Sequence, residues 1–415
     1  SNPQQHKTMA ATTILLQKGL PAVTQSAHNM YAPAGKWILG TAGAVVGMIH
    51  VGGVTRLTQS GLSMTDWSPL GGLPPMNHQE WEEEFARYKT FPEWQQRQSM
   101  TLSEFKFIYG WEYGHRMLGR AVGLVFCVPW LYFTARGRIP PGYQGRMVGL
   151  LAMGGTQGLV GWWMVRSGLG DDRRQDKKEI RVKPIRLATH LTMAVATYGA
   201  LLWTGLDILG LPHKATLSEH ASQLSKEALR LASRLRTGSL ALTALTGVTI
   251  VSGALVAGND AGRAYNSFPK MGDDWIPTQD MWASEPWYNN FHDNTAMVQF
   301  NHRILGLSTA ATAYGLTAVG LLSPARAALL TPQARKGLYA VGLAAAGQVT
   351  LGITTLLYYV PISLAAAHQI GSIVVFSSGI YLAHSLRYAR PALIRSMGRV
   401  ASSKTPTPPT TVVAP

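Results

Sequence analysis

The stretch EYGHRMLG, Glu112 to Gly119, returns as QFNHRILG, Gln299 to Gly306, and each copy lies in a run of apolar residues long enough to span a membrane. Three further matches keep the same order. QGLVG (Gln157 to Gly161) resembles QVTLG (Gln348 to Gly352), DWSP (Asp66 to Pro69) resembles DWIP (Asp274 to Pro277), and LATHL around His190 resembles AAAHQ around His368. Four ordered matches indicate a duplicated unit.

The chain has 415 residues, of which 46% are hydrophobic. Its mean hydropathy is close to zero because polar loops and tails offset eight apolar windows: 37–55, 107–134, 147–165, 187–209, 238–257, 297–322, 338–359 and 362–386. Each is long enough to cross about 30 Å of hydrocarbon as a helix. The expected fold is therefore an all-α membrane protein with eight transmembrane helices in two parallel-repeated four-helix bundles. Four helices per unit send the second copy into the membrane in the same direction as the first, about an axis along the membrane normal, which counts against an inverted-repeat transporter.

The expected divisions are an N-terminal segment (1–36), a first four-helix half (37–211), a linker (212–236), a second half (237–388) and a disordered tail (389–415) whose basic part could touch anionic lipid. No acid precedes Asp66, while Lys7, Lys18 and Lys36 stand among Ser, Thr, Gln and Ala, as in the remnant of a mitochondrial targeting region. Arg136, Arg138, Arg146, Arg326, Arg335, Lys336, Arg387, Arg390, Arg395, Arg399 and Lys404 gather on one side with both termini, which the positive-inside rule makes the matrix or cytoplasm. The basic loop Arg166 to Arg186 is an exception on the opposite side. The formal charge of +16 is scattered over loops and tail, which argues against a nucleic-acid surface. Cys127 is the sole cysteine, so an intramolecular disulfide is excluded. Gly-rich helices such as 38–53 could pack against a second copy or inside the monomer.

His115 and His190 fall on the second and fourth helices of the first unit, and His302 and His368 on those of the second. Helices two apart in an up-and-down bundle run parallel and can oppose one another diagonally. Two imidazoles then face each other across each bundle, which suits the axial ligands of haem iron. Zinc or copper would need further ligands, and no Cys, Asp or third His accompanies these positions. Arg116 and Arg303, each following a histidine, could pair with haem propionates or snorkel to the interface. His50 and His384 read as structural, and His6, His28, His78, His213, His220 and His292 as solvated. Glu112, one helical turn before His115, shares its face, and an acid costs roughly 2.5 to 3.5 kcal/mol at a bilayer centre. The second half has Gln299 in its place, which cannot exchange a proton. The sites thus differ in one titratable group, suited to accepting a proton or stabilising positive charge.

The segments GGVTRLTQSGLSMTDW, EFKFIYGWEYGHRMLGR, VAGNDAGRAYNSFPKMG, MVQFNHRILG and PISLAAAHQIGS resemble the mitochondrial form of the haem A synthase family, over about Trp37 to Arg387. The resemblance implies eight transmembrane helices in two similar halves and oxidation of a methyl group of haem O to the formyl group of haem A. It also implies His115 and His190 as substrate-haem ligands, His302 and His368 as ligands of a cofactor haem B, and Glu112 as the catalytic carboxylate. Supply by a farnesyltransferase-type haem O synthase, electrons from a ferredoxin and its reductase, delivery to the cytochrome c oxidase assembly machinery, and the mitochondrial inner membrane follow from the same likeness. The cysteine pair of some bacterial members is missing here, so no thiol role is carried over. Two rivals fit the four histidines: a di-haem b-type electron-transfer cytochrome and a non-catalytic haem-holding assembly factor. Porphyrins extracted from the purified protein are expected to comprise haem B with haem O, haem A or the hydroxylated intermediate. Haem B alone would favour the cytochrome.

Overall fold

The computed structural model describes residues 3–64, 71–169, 180–211, 219, 221 and 223–402, without the side chains of 3–29 and 397–402. The described residues contain eight helices long and apolar enough to cross a membrane. They are α1 (Pro3–Leu57, apolar over Met30–Leu57), α3 (Leu102–Ala135), α4 (Gln144–Arg166), α5 (Pro184–Gly210), α6 (Lys226–Gly258), α7 (Thr295–Leu321), α8 (Pro332–Leu357) and α9 (Ile362–Ser385). Two amphipathic helices complete the set used below: α2 (His78–Tyr88) before α3, and α10 (Ala389–Ser402) after α9.

Local chemistry sets where these helices start. Thr101 caps α3 by accepting from the Glu104 amide at 3.3 Å, while the Glu104 carboxylate accepts from the Thr101 amide at 2.8 Å. Ser225, Asn294 and Thr331 cap α6, α7 and α8 by accepting from the amides of Ala228, Met297 and Ala334, and a proline opens α5 and α8. Apolar side chains such as Leu124, Val128 and Leu131 on α3 and Leu343 on α8 remain uncovered by protein, as lipid-facing positions should.

In the first half α1, α3, α4 and α5 close into a ring of neighbours, and in the second α6, α7, α8 and α9 do the same. The halves meet through α5 against α6 and α1 against α9, the pairing that a two-fold relation between the units would produce. A shared core of Ile38, Ala42, Ile49, Tyr198, Ile250, Ile373 and Phe376 runs through this junction. It is pinned at both ends by charge. At one end Asp260 accepts from Arg56 at 3.1 Å and Arg181 at 3.0 Å. At the other, Asp207 accepts from Arg146 at 2.7 Å and lies 3.1 Å from His384 Nε2, so the structural reading of His384 has a named partner.

α3 is longer than hydrocarbon requires. Its first turns carry a cap in which Phe85 and Tyr88 of α2 pack on Phe105, Ile108 and Tyr109, with Trp81 and Trp94 around them. Within the cap Tyr88 donates to Glu93 at 3.0 Å, and burial pushes the Glu93 carboxyl up to about 7.

Two expected boundaries change. The linker expected over 212–236 is already helical from Lys226, because Ala228, Leu229, Ala232 and Leu235 bury a stripe against the second half. The tail expected to be disordered from 389 continues as α10, whose Ala389 packs in one cluster with Ala232 and Leu235 of α6 and whose Ala392 packs with Leu229 and Ala221. The DWSP copy of the repeat, part of the basic loop after Arg166, His213, His220 and residues 403–415 lie outside the described residues, as do the His6 and His28 side chains.

Asp207 links the two rings, so Asp207→Ala should leave Arg146 and His384 without their acceptor and cost about 1 kcal/mol. A thermal-unfolding series in detergent checks this; an unchanged midpoint would show that the junction rests on apolar packing alone.

Candidate functional site

The helix starts give His190, His302 and His368 a depth of about 9 to 10 Å along α5, α7 and α9 at 1.5 Å per residue. His115 lies deeper along α3 by count, but the turns held in the cap lift it to join them. The four sequence-predicted histidines thus form two pairs, one within each ring. In the second ring His302 and His368 face each other with ring centres 6.4 Å apart and planes at 88°. Metal–imidazole bonds of about 2 Å on each side of one iron place two axial rings about 6 Å apart, so this pair fits a metal held between them. In the first ring His190 and His115 are close enough to interact electrostatically. Among the described residues no group of three or more His, Cys, Asp and Glu gathers, so each pair offers two such ligands.

Each imidazole rests on a glycine of the preceding helix. An added Cβ would lie 2.9 Å from the His115 ring at Gly52, 2.9 Å from His190 at Gly161, 3.1 Å from His302 at Gly253 and 2.9 Å from His368 at Gly352. Two glutamines repeat as well. Gln157 donates to the His190 carbonyl at 3.1 Å and Gln348 to the His368 carbonyl at 3.0 Å, with Gln157 also 3.2 to 3.3 Å from the His190 ring nitrogens. Sequence reading used QGLVG and QVTLG only as evidence of duplication; their Gln and terminal Gly turn out to be the parts that seat a histidine.

Glu112 is buried and receives three donors. Ser63 Oγ lies at 2.7 Å and the Met64 amide at 2.9 Å from one oxygen, and Arg116 donates to the other at 2.5 Å. Its charge is therefore matched by a neighbour on the same helix, which offsets the burial cost that the sequence made conspicuous. Ser63 and Met64 were not singled out from sequence, since only the fold brings them onto α3. Gln299 is buried in the equivalent place, with its Oε1 unpartnered and its Nε2 3.5 Å from the Tyr265 carbonyl.

Arg116 and Arg303 both grip the loop that follows the first helix of their half. Arg116 donates to the Met64 carbonyl at 3.1 Å. Arg303 donates to the carbonyls of Tyr265, Ser267, Pro269 and Lys270 at 2.7 to 3.2 Å. An open groove of about 510 Å³ runs along the outer face of α3 against Val51 of α1, lined by Lys106, Phe107, Gly110, Trp111, Gly114 and Leu118.

These features define a multi-pass all-α membrane protein with two facing-histidine sites. Comparison with known proteins makes the assignment specific: the model of the cytochrome oxidase assembly protein family, COX15-CtaA, matches residues 35–380. The chain belongs to this family. Heme A synthase COX15 of Arabidopsis thaliana is 41% identical over 400 residues, covering 95% of this chain and 84% of that protein. Heme A synthase COX15 of Homo sapiens is 43% identical, with 93% and 90% covered. A heme A synthase-mitochondrial ferredoxin fusion protein of Schizosaccharomyces pombe is 39% identical, with 88% and 62% covered.

The glycine seats yield a test with an internal control. Gly352→Ala should push His368 off its position and lower haem retention about tenfold or more. Gly347→Ala, on the same helix with nothing within 4 Å of an added Cβ, should retain haem fully. Equal retention in both variants, measured by haem-to-protein ratio, would remove the seat from the account.

Proposed function

We propose that this protein is a haem A synthase: an oxidoreductase of the mitochondrial inner membrane that converts a methyl group of haem O to the formyl group of haem A for cytochrome c oxidase. The observation that carries the reading is the pair of equivalent histidine seats that differ at one titratable residue, Glu112 against Gln299. The relatives named above, each a heme A synthase, support the reaction class.

On this reading His115 and His190 hold the substrate haem in the half from 37 to 211, and His302 and His368 hold haem B in the half from 237 to 388. Haem B, when bound, supplies a one-electron relay. The chain's own residues do the rest. The apolar rings exclude water, and the glycine seats set the height of each imidazole. Turning a methyl into a formyl group removes hydrogen and adds one oxygen atom; dioxygen is the class of oxidant that supplies it, its second atom leaving as water with the electrons of the donor, and protons move at each step. Glu112 is placed to accept them or to stabilise positive charge developing on the substrate, with Ser63, Met64 and Arg116 holding the carboxylate in orientation. Arg303 Nε is buried without a partner, a donor suited to a propionate oxygen at its site. Arg116 takes the corresponding place beside the substrate.

The fusion of a heme A synthase with ferredoxin in fission yeast supports a ferredoxin, with its reductase, as electron source. Haem O synthase supplies the substrate. The clustered basic loops support both termini in the matrix, which puts the histidines toward the intermembrane space.

Glu112→Gln should keep both haems yet lower haem A formation by about 100-fold or more, within the range of a lost general base. Gln299→Glu should change it much less. Normal haem A in cells that carry only Glu112→Gln would overturn the catalytic role and favour a non-catalytic or electron-transfer protein.

A further inference from the structure

The residue just before each seat glycine of α1 and α6 differs between the halves: Val51 precedes Gly52, and Ser252 precedes Gly253. The difference reaches the histidines. Ser252 Oγ lies 2.8 Å from His302 Nδ1 and donates its own hydrogen to the Thr249 carbonyl at 2.7 Å. A hydroxyl has one hydrogen, so toward the imidazole its oxygen can only accept. The arrangement suits the tautomer with the proton on Nδ1, which leaves Nε2 the lone pair that a metal needs. His368 Nδ1 in the second ring is buried without a partner, and so is that of His115, the counterpart of His302, beside Val51. Nothing fixes its tautomer or resists rotation of its ring apart from the seat on Gly52.

Hydrogen bonds of this kind orient a ligating imidazole, raise its basicity and strengthen its hold on metal. We propose that Ser252 is the positioning residue that locks His302 onto haem B, a hold that Val51 in the matching place does not give His115. The inference rests on the site assignments proposed above. In each ring one imidazole meets a polar side chain, His190 through Gln157 and His302 through Ser252, and only the Ser252 contact is made from the position before a seat glycine.

The test uses full-length protein purified in detergent with its haems, reduced with dithionite and exposed to carbon monoxide, alongside a redox titration of haem B. In the unaltered protein haem B should stay unreactive to carbon monoxide. Ser252→Val, or Ser252→Ala if the former folds poorly, should make haem B bind carbon monoxide, shift its potential upward and lower its retention about tenfold or more. Ser252→Thr keeps a hydroxyl and should restore the original behaviour. The reciprocal Val51→Ser should slow carbon monoxide binding at the substrate haem about tenfold. His368→Ala, run in parallel, separates this inference from the reading beneath it. Loss of haem B in that variant upholds the site assignment, and haem B unchanged in reactivity and potential in the Ser252 variants then overturns the lock. Haem B retained in His368→Ala overturns the assignment itself, and the lock with it.

Discussion

Close approach between imidazole and bare backbone is the constraint on which both rings depend. Four histidines each lie where a Cβ on the neighbouring helix would stand about 3 Å away. Glycine in a helix interior costs about 1 kcal/mol relative to alanine, so its recurrence at these four contacts exchanges helix propensity for proximity. Proximity in turn fixes how far apart the ring helices stand, and thus the width of the space between facing histidines. The 6.4 Å separation of His302 and His368 is the outcome of two such contacts acting from opposite sides.

Polar groups within the membrane need partners, and this molecule supplies them from loops and from the other half. Arg303 spends its guanidinium on four loop carbonyls, and Glu112 draws its donors from Ser63, Met64 and Arg116. Asp260 and Asp207 accept from residues of the opposite half at the two ends of the junction. The junction is thereby held by charge where helices emerge and by apolar packing between, which is the arrangement that desolvation costs favour.

Duplication supplied two equal seats, and the chemistry proposed for them lies in what surrounds each one. Glu112 against Gln299 alters the capacity to take a proton. Val51 against Ser252 alters how firmly an imidazole is held. Both pairs lie within one turn of a paired histidine or its seat, where a single side chain changes the site without disturbing helix packing.

Much of this was legible in the order of residues. Apolar windows identified eight crossing helices, since length and hydropathy alone decide whether a segment can lie in hydrocarbon. The four histidines and Glu112 stood out because they are costly there. Helix ends were less legible: Lys226 and Ala389 lie in stretches whose polar residues hid a buried stripe that only a packing partner reveals. The seat glycines, Ser252, Ser63 and the loop carbonyls gripped by Arg303 carry no signal of their own, being common residue types in ordinary contexts. Sequence by itself determined which groups must be buried, because transfer cost belongs to the residue. Which neighbour each buried group meets was decided only by the tertiary structure, because a contact between residues on separate helices depends on how close the backbones come and how they are turned.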